Sequence, residues 1–165
     1  MTRTHTTIDT PIGELTLVAD DGALAGVYYP GHWTRPDPAT FGERSDDGFE
    51  EVERQLAEYF AGQRTSFTLP TSLTGDGFHR KVWDLIGQIP YGQTTTYGEL
   101  ARRLGEPGLA RAVGGAVGHN PLSVIVPCHR VVGKDGKLTG YAGGLQRKRF
   151  LLSLEAPEER APALF

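Results

Sequence analysis

Strand-type and helix-type patterns occupy different parts of this chain, and that separation is its strongest constraint on the fold. Segment 14–19 alternates apolar and polar residues with period two, and segment 23–29 follows it after the turn residues Asp20-Asp21-Gly22. This pattern is typical of a β-hairpin. Apolar residues recur at helical spacing in segments 47–61 and 78–89. We therefore expect an α/β protein with a small antiparallel sheet plus a helix near its start.

A boundary near residue 75 divides the chain into two domains, 1–75 and 76–165. Residues 1–75 hold 5 Lys and Arg against 12 Asp and Glu, a net charge of −7. Residues 76–155 hold 11 against 6, a net charge of +5. An acidic domain followed by a basic one predicts that only the second favours phosphate groups, although chance clustering of charge gives the same division.

The irregular parts of the first domain are predicted from composition. Segment 30–48 is rich in glycine, proline and aspartate, which favours a loop. Segment 63–77 is interpreted as a strand-like stretch followed by a linker.

A helix-turn-helix candidate lies in the second domain. Helical patterns at 94–104 and 109–118 flank a turn at Gly105-Glu-Pro-Gly108. Two packed helices of purely architectural purpose would look the same. The second helix is crowded with glycine and alanine, and Arg111 is its only charged side chain. Small residues permit close approach, either of a DNA minor groove or of a neighbouring helix.

Composition argues against several classes of protein. No run of about eighteen apolar residues offers a membrane span. The first residues lack the apolar core of a secretory signal, and a single cysteine forms neither an internal disulfide nor a cysteine-rich zinc site. The five histidines show no regular ligand spacing. We expect a cytoplasmic protein with no metal.

The segment Val124–Val132 carries the most chemistry. It places Cys128, His129 and Arg130 after Pro127 in an otherwise apolar stretch, where polar side chains are costly unless they have a function. A free cysteine in such surroundings is either a small buried hydrophobe or a nucleophile activated by a neighbouring base. Adjacent side chains on an extended chain point in opposite directions, so a direct contact between Cys128 and His129 is not assured.

The motif Pro127-Cys-His-Arg130, with Asn120-Pro121 before it and Gly140-Tyr-Ala-Gly-Gly144 after it, resembles the methylated-DNA–protein-cysteine methyltransferases, the 6-O-alkylguanine-DNA alkyltransferases. Further matches in order and spacing extend the resemblance over residues 76–155: Ile89-Pro-Tyr-Gly92, Tyr97-Gly98, Ala110-Arg-Ala-Val-Gly114 and Arg147-Lys148. The resemblance implies a ribonuclease-H-like first domain of structural role. It implies a mainly helical, winged-helix-like second domain that binds DNA and accepts the alkyl group.

The resemblance also implies roles for five residues around the reaction. Cys128 would accept the alkyl group irreversibly from 6-O-alkylguanine, and also from 4-O-alkylthymine, so that one molecule repairs one lesion. His129 would take the thiol proton through a water, and Glu155 would stabilise the charged imidazole. Tyr97 would donate to the leaving guanine and help displace the stacked base. Asn120 would brace the turn before the cysteine.

Recognition of double-stranded DNA is implied to occur through the minor groove, without a cofactor. Arg111 would fill the gap left by the flipped nucleotide. The close approach would involve four small residues: Ala110, Ala112, Gly114 and Gly115. The wall of the base pocket would include Tyr141, Ala142 and Gly143. The protein would act as a monomer, with cooperative binding along DNA left open.

Some features depart from the family pattern or admit other interpretations. Ala142 stands where some relatives carry serine, so backbone amides would have to contact the base oxygen there. Lesion recognition without chemistry, a cysteine hydrolase and a plain helix-turn-helix regulator are the competing functions, and each leaves part of the motif unexplained. Glu155 is also compatible with a simple helix end, and Arg147 to Arg149 with an ordinary solvated face.

Overall fold

The period-two segment forms the hairpins of a four-stranded sheet in the computed structural model, which describes residues 2–32 and 34–156. Strands β1 (Arg3–Thr10), β2 (Gly13–Asp20) and β3 (Ala23–Tyr28) pair antiparallel in succession. Asp21 and Gly22 connect β2 to β3 with φ angles of 48° and 87°, as a two-residue hairpin turn requires. The hairpin predicted from the sequence is therefore present.

A short fourth strand lies where the sequence predicted only a loop. Strand β4 (Glu43–Arg44) pairs parallel with β1, giving the sheet order β3-β2-β1-β4. Gly42 has a φ of 76°, and a Cβ at this position would lie 1.9 Å from the carbonyl oxygen of Arg3. Glycine is therefore required for the backbone to come this close to β1.

The predicted strand-like stretch at 63–77 is wrong in detail, because it contributes only one bridge, between Thr71 and Leu24. The amide of Leu24 donates to the Pro70 carbonyl at 2.9 Å, and that of Ser72 donates to the Leu24 carbonyl at 2.8 Å. These contacts hold the segment beside β3 without extending the sheet.

Helix α1 (Glu50–Phe60) belongs to the same unit as the sheet. It begins later than the predicted residue 47, because Gly48 has a φ of 91°, outside the helical region. Its buried apolar residues recur at the predicted helical spacing: Val52, Leu56 and Tyr59. The polar Gln55 is also buried, which was not predicted. Glutamates at 50, 51 and 53 lie in its first turn, where carboxylates interact favourably with the helix dipole.

The second half of the chain is mainly helical. Its helices are α2 (Gly77–Gly87), α3 (Tyr97–Arg103), α4 (Ala110–Gly118) and α5 (Leu145–Glu155). Strands β5 (Thr95–Thr96) and β6 (Val131–Val132) form a short parallel pair. The Thr96 hydroxyl caps α3 by accepting a hydrogen bond from the Glu99 amide at 3.1 Å, as the threonine run predicted. Trp83 Nε1 donates to the Ala116 carbonyl at 2.9 Å and so joins α2 to α4.

The described residues divide into two compact units, 2–74 with 121–125, and 75–120 with 126–156. The excursion at 121–125 was not predicted. Within the first unit the Val27 amide donates to the Pro121 carbonyl at 2.8 Å, and Leu122 forms a parallel bridge with Val27. The predicted fold class, a small sheet with a helix followed by a mainly helical domain, is confirmed. In the described part of the chain, no helix combines the length and the apolar character needed to cross a membrane.

One buried histidine of the first unit titrates abnormally. His32 is 4% exposed, and its ring stacks on Tyr29 at a centroid distance of 5.7 Å. Its Nδ1 accepts a hydrogen bond from the Tyr29 amide at 3.4 Å, and its Nε2 has no partner among the described residues. Burial, aided by the charge of Arg35, lowers the pKa of His32 to about 4. The folded protein therefore holds this ring neutral.

We expect His32 to make folding stability depend on pH between about 6.5 and 4. In that window the unfolded chain binds the proton and the folded chain does not, so stability falls as pH falls, by about 1.4 kcal/mol per unit. Urea unfolding of the wild type and of His32→Phe at several pH values measures this slope. The variant should show a shallower slope, and equal slopes would contradict the prediction.

Candidate active site

Two tight turns position the cysteine after α4. Val124 has a φ of 72°, and the Ile125 amide donates to the Ser123 carbonyl at 2.8 Å, which is a γ-turn with a β-branched residue in a strained conformation. Pro127, at φ −81° and ψ 65°, forms the inverse form of the same turn, with the Cys128 amide donating to the Val126 carbonyl at 2.8 Å. Backbone strain of this kind concentrates at functional sites.

The Asn120 side chain braces the second of these turns. It is 2% exposed, and its Nδ2 donates to the Val126 carbonyl at 2.8 Å. It also forms a side-chain hydrogen bond with Cys128. One amide thus joins the end of α4 to both the turn and the thiol.

Cys128 begins a short 3-10 helix, Cys128–Arg130, and is 4% exposed. Burial raises the pKa of its thiol. Hydrogen bonds with Asn120 and Tyr141 and the positive charge of Lys148 act in the opposite direction but do not outweigh burial. The thiol is therefore protonated at rest and surrounded by groups that favour its thiolate.

The His129 imidazole is fully buried, and only one of its two ring nitrogens has a hydrogen-bond partner among the described residues. Its Nε2 lies 2.7 Å from Glu155 Oε2, and its Nδ1 has no hydrogen-bond partner among the described residues. Burial lowers the pKa of His129, although the Glu155 carboxylate raises it in part. A neutral ring that donates from Nε2 to the carboxylate keeps its Nδ1 as a free acceptor.

Glu155 is the centre of a buried charge cluster. Its Oε1 accepts from Arg130 Nε at 2.7 Å, and its Oε2 accepts from Arg130 Nη2 at 3.0 Å. Burial raises the pKa of Glu155, but the hydrogen bonds from His129 and Arg130, together with the charge of Arg130, outweigh it and bring the value to about 2. This carboxylate stays ionised throughout the neutral pH range.

Arg130 is held on its other side as well. Its Nη1 donates to the Ile89 carbonyl at 2.7 Å, and its guanidinium lies 5.7 Å from the centroid of the Tyr91 ring. This arrangement combines a bidentate carboxylate pair with a cation–π contact, a geometry that lysine does not reproduce.

Lys148 is buried beneath the loop that follows β6, so the alternative of a solvated face for Arg147 to Arg149 is wrong at this residue. Its Nζ donates to the carbonyls of Val131 at 2.7 Å and Thr139 at 2.8 Å. Burial lowers the pKa of Lys148 to about 8. The apolar stem of the side chain and these carbonyls make burial of the ammonium possible.

The glycine-rich loop before α5 adds a hydroxyl to the thiol's surroundings. Tyr141 is half-buried and forms a side-chain hydrogen bond with Cys128. Gly144 turns the chain with a φ of 91°, and its amide donates to the Tyr141 carbonyl at 2.9 Å. Ala142 is half-buried and Gly143 is buried.

The small residues of α4 point outward. Val113, Ala116 and Val117 form the buried side of the helix. The opposite side consists of the exposed Arg111, Ala112 and Gly115, with Ala110 and Gly114 half-exposed. A Cβ at Gly115 would meet nothing within 4 Å. Packing against another helix therefore does not explain this glycine.

Tyr97 is the first residue of α3 and is half-buried. A Cβ on Gly114 would lie 3.8 Å from the Tyr97 ring, so this phenol lies beside the outward face of α4. The structure thus gathers Asn120, Tyr141 and Cys128 in one cluster and His129 with Glu155 in another. Within the described residues, no hydrogen bond joins the thiol directly to the imidazole.

Comparisons with known proteins agree with this arrangement along nearly the whole chain. Residues 4–73 match the model of the 6-O-methylguanine DNA methyltransferase ribonuclease-like domain, and residues 77–157 match that of its DNA binding domain. The methylated-DNA–protein-cysteine methyltransferase of Mycobacterium tuberculosis is 49% identical over 167 residues, 96% of this chain and 94% of that protein. The chain belongs to the methylated-DNA–protein-cysteine methyltransferase family.

More distant members of this methyltransferase family and solved structures give the same result. The relative from Methanosarcina acetivorans is 44% identical over 147 residues, 89% of this chain and 94% of its own length. The crystal structure of Mycobacterium tuberculosis OGT in complex with DNA superposes with a TM-score of 0.86 at 45% identity, covering 96% of this chain and 98% of that one. The family predicted from the sequence motif is confirmed.

Sequence reasoning on this methyltransferase missed two buried cations. The sequence analysis identified Arg130 as a polar residue that is costly in an apolar segment, but it assigned no partner to it. Lys148 gave no comparable signal, because it stands between two arginines in a run that resembles a solvated helix face.

We expect Arg130→Met to destabilise this methyltransferase by about 3–5 kcal/mol, because removing one partner leaves the buried Glu155 carboxylate undercompensated. Urea unfolding at neutral pH measures the change. Arg149→Met, an exposed position on α5, is the control and should shift stability by about 0.5 kcal/mol or less. Equal effects of the two substitutions would contradict the role given to Arg130.

Proposed function

We propose that this protein reverses alkylation damage in DNA by transferring the alkyl group of 6-O-alkylguanine onto Cys128. Membership of the family supports the reaction. The observation that carries the assignment to this residue is the surroundings of the thiol, the chain's only cysteine. Hydrogen bonds with Asn120 and Tyr141 and the charge of Lys148 all stabilise its ionised form.

The proton of the thiol leaves through His129. The neutral imidazole has Nδ1 available and accepts the proton through a bridging water. The resulting imidazolium is stabilised by the Glu155 carboxylate, which lies 2.7 Å from Nε2. Glu155 does not itself take the proton, because Arg130 holds it ionised.

Transfer is a displacement at the alkyl carbon. The bond from Cys128 Sγ to carbon forms as the bond from carbon to the guanine 6-oxygen breaks. Tyr97 donates its phenolic proton to the leaving guanine. The product is a thioether, which has no easily expelled leaving group, so one molecule repairs one lesion. The proton that the thiol gave to His129 then passes to water, and water returns a proton to the Tyr97 phenolate, so the step needs no cofactor or metal.

The alkylated base has to leave the duplex before its 6-oxygen can be attacked. Extrusion costs a few kcal/mol and is easiest at a weakened, damaged pair. The outward face of α4 enters the minor groove, where Ala110, Ala112, Gly114 and Gly115 permit close approach. Arg111 occupies the gap in the duplex, and its lack of an ion pair within the described residues leaves its charge available for this purpose.

The flipped base occupies a pocket whose wall includes Tyr141, Ala142 and Gly143. Because Ala142 has no hydroxyl, contacts to the base oxygen come from backbone amides. A pyrimidine is smaller than guanine, and 4-O-alkylthymine carries the same type of exocyclic carbon–oxygen bond. We therefore include it as a second substrate.

The two domains have different roles. Residues 76–165 bind DNA and accept the alkyl group, while residues 1–75 have a structural role. The protein acts as a monomer on DNA, and cooperative binding along the duplex is compatible with this. We place the protein in the cytoplasm, because a free thiol persists in a reducing compartment and the substrate is DNA.

Intact-protein mass spectrometry tests the proposal directly. After mixing with a duplex that carries one 6-O-methylguanine, the protein should gain the mass of one methyl group, and peptide mapping should place it on Cys128. The matched control is Cys128→Ser, which should gain nothing. Preferential binding to the lesion without a mass gain by the wild type would indicate a recognition module in which Cys128 is structural.

The pH profile of transfer tests the role of His129. Burial lowers the pKa of this group below its usual value near 6.5, and only the neutral ring accepts a proton. The single-turnover rate should therefore fall below about pH 6.5, as the ring becomes charged. Lys148, whose pKa is about 8, loses its charge above that value, so the rate should also decline on the alkaline side. Circular dichroism at each pH controls for unfolding. A rate that rises as the pH falls below about 6.5 would contradict a base at this position.

A further inference from the structure

The turn after β6 brings a hydroxyl to the phenol of Tyr97. Thr139 Oγ1 donates a hydrogen bond to the Tyr97 oxygen at 3.4 Å. This distance is long for two hydroxyls, which usually lie about 2.7–2.8 Å apart. Catalytic hydrogen bonds are often long in unliganded sites and tighten when substrate binds.

A buried ammonium group holds the backbone of Thr139 in place. Its carbonyl accepts from Lys148 Nζ at 2.8 Å, and the same ammonium binds the Val131 carbonyl at 2.7 Å. Lys148 is fully buried, so its ammonium depends on these carbonyls for solvation. The position of Thr139 is thus tied to the strand that follows the acceptor cysteine.

The side chain of Thr139 packs against the backbone of Gly133. The Gly133 amide donates to the Lys137 carbonyl at 2.7 Å and closes the turn. A Cβ on Gly133 would lie 2.9 Å from Thr139 Cγ2 and 3.3 Å from the Lys137 carbonyl oxygen. Any side chain at 133 would therefore displace Thr139, although its φ of −75° is acceptable for alanine.

We propose that Thr139 is a positioning residue for Tyr97 in the transfer reaction. By donating to the Tyr97 oxygen, its hydroxyl directs the phenolic proton away from itself and toward the leaving guanine. This inference rests on the proposed function. Because Thr139 is exposed, the bond adds little to stability in the free protein. It gains strength when bound DNA excludes water from it.

A double-mutant cycle on the full chain tests this proposal. The variants are Thr139→Val, Tyr97→Phe and their combination, with Thr139→Ser as the matched variant that keeps the hydroxyl. The measurement is the single-turnover rate of methyl transfer at saturating 6-O-methylguanine duplex, with the dissociation constant determined separately. We expect Thr139→Val to lower the rate by about 3- to 10-fold, with DNA affinity unchanged and Thr139→Ser close to the wild type.

The decisive comparison is the effect of Thr139→Val on the single-turnover rate when Tyr97→Phe is already present. If Thr139 acts through the phenol, Thr139→Val has no further effect there. Gly133→Ala should behave in the same way, since it displaces the Thr139 side chain. An unchanged rate in Thr139→Val, or an equal loss with and without the Tyr97 hydroxyl, would overturn the inference. Failure of the wild type to transfer at all would instead refute the proposed function.

Discussion

The candidate active site depends on a single buried carboxylate that binds an arginine and a histidine at once. Glu155 accepts two hydrogen bonds from Arg130 and one from His129. Hydrogen bonds from His129 and Arg130, together with the permanent charge of Arg130, keep the buried carboxylate ionised, and the ionised carboxylate in turn fixes the tautomer of the imidazole. Without the arginine, the buried carboxylate would lose two of its hydrogen bonds and its permanent counter-charge.

The resting site pairs a neutral thiol with a neutral imidazole. Burial disfavours charge on both groups, raising the pKa of Cys128 and lowering that of His129. The proton transfer that we propose between them would create a charge pair, and the surrounding groups favour each side of it: Lys148 and Asn120 the thiolate, Glu155 the imidazolium. A protein that can react only once benefits from a nucleophile that is suppressed at rest, because thiolates are the form that oxidants attack.

The family, the fold class and the residues nearest the cysteine could be predicted because each leaves a local trace in the sequence. The hairpin follows from period-two alternation around Asp21 and Gly22, and the proposed acceptor, Cys128, from the motif at Pro127 to Arg130. Features that depend on distant parts of the chain left no such trace. Strand β4 forms because Gly42 allows its approach to Arg3, and Lys148 is buried because three carbonyls, 8 to 17 residues before it in sequence, converge on its ammonium. Neither is visible in composition or periodicity.

The excursion of residues 121–125 has a consequence for how this architecture can be divided. The chain leaves α4 at Asn120, pairs with β3 through Pro121 and Leu122, passes the strained Val124 and returns to deliver Cys128. Residues 121–125 group with 2–74 and not with the helices that flank them in sequence. A single cut at residue 75 would therefore separate them from the strand with which they pair, so the two units do not correspond to two continuous halves of the chain.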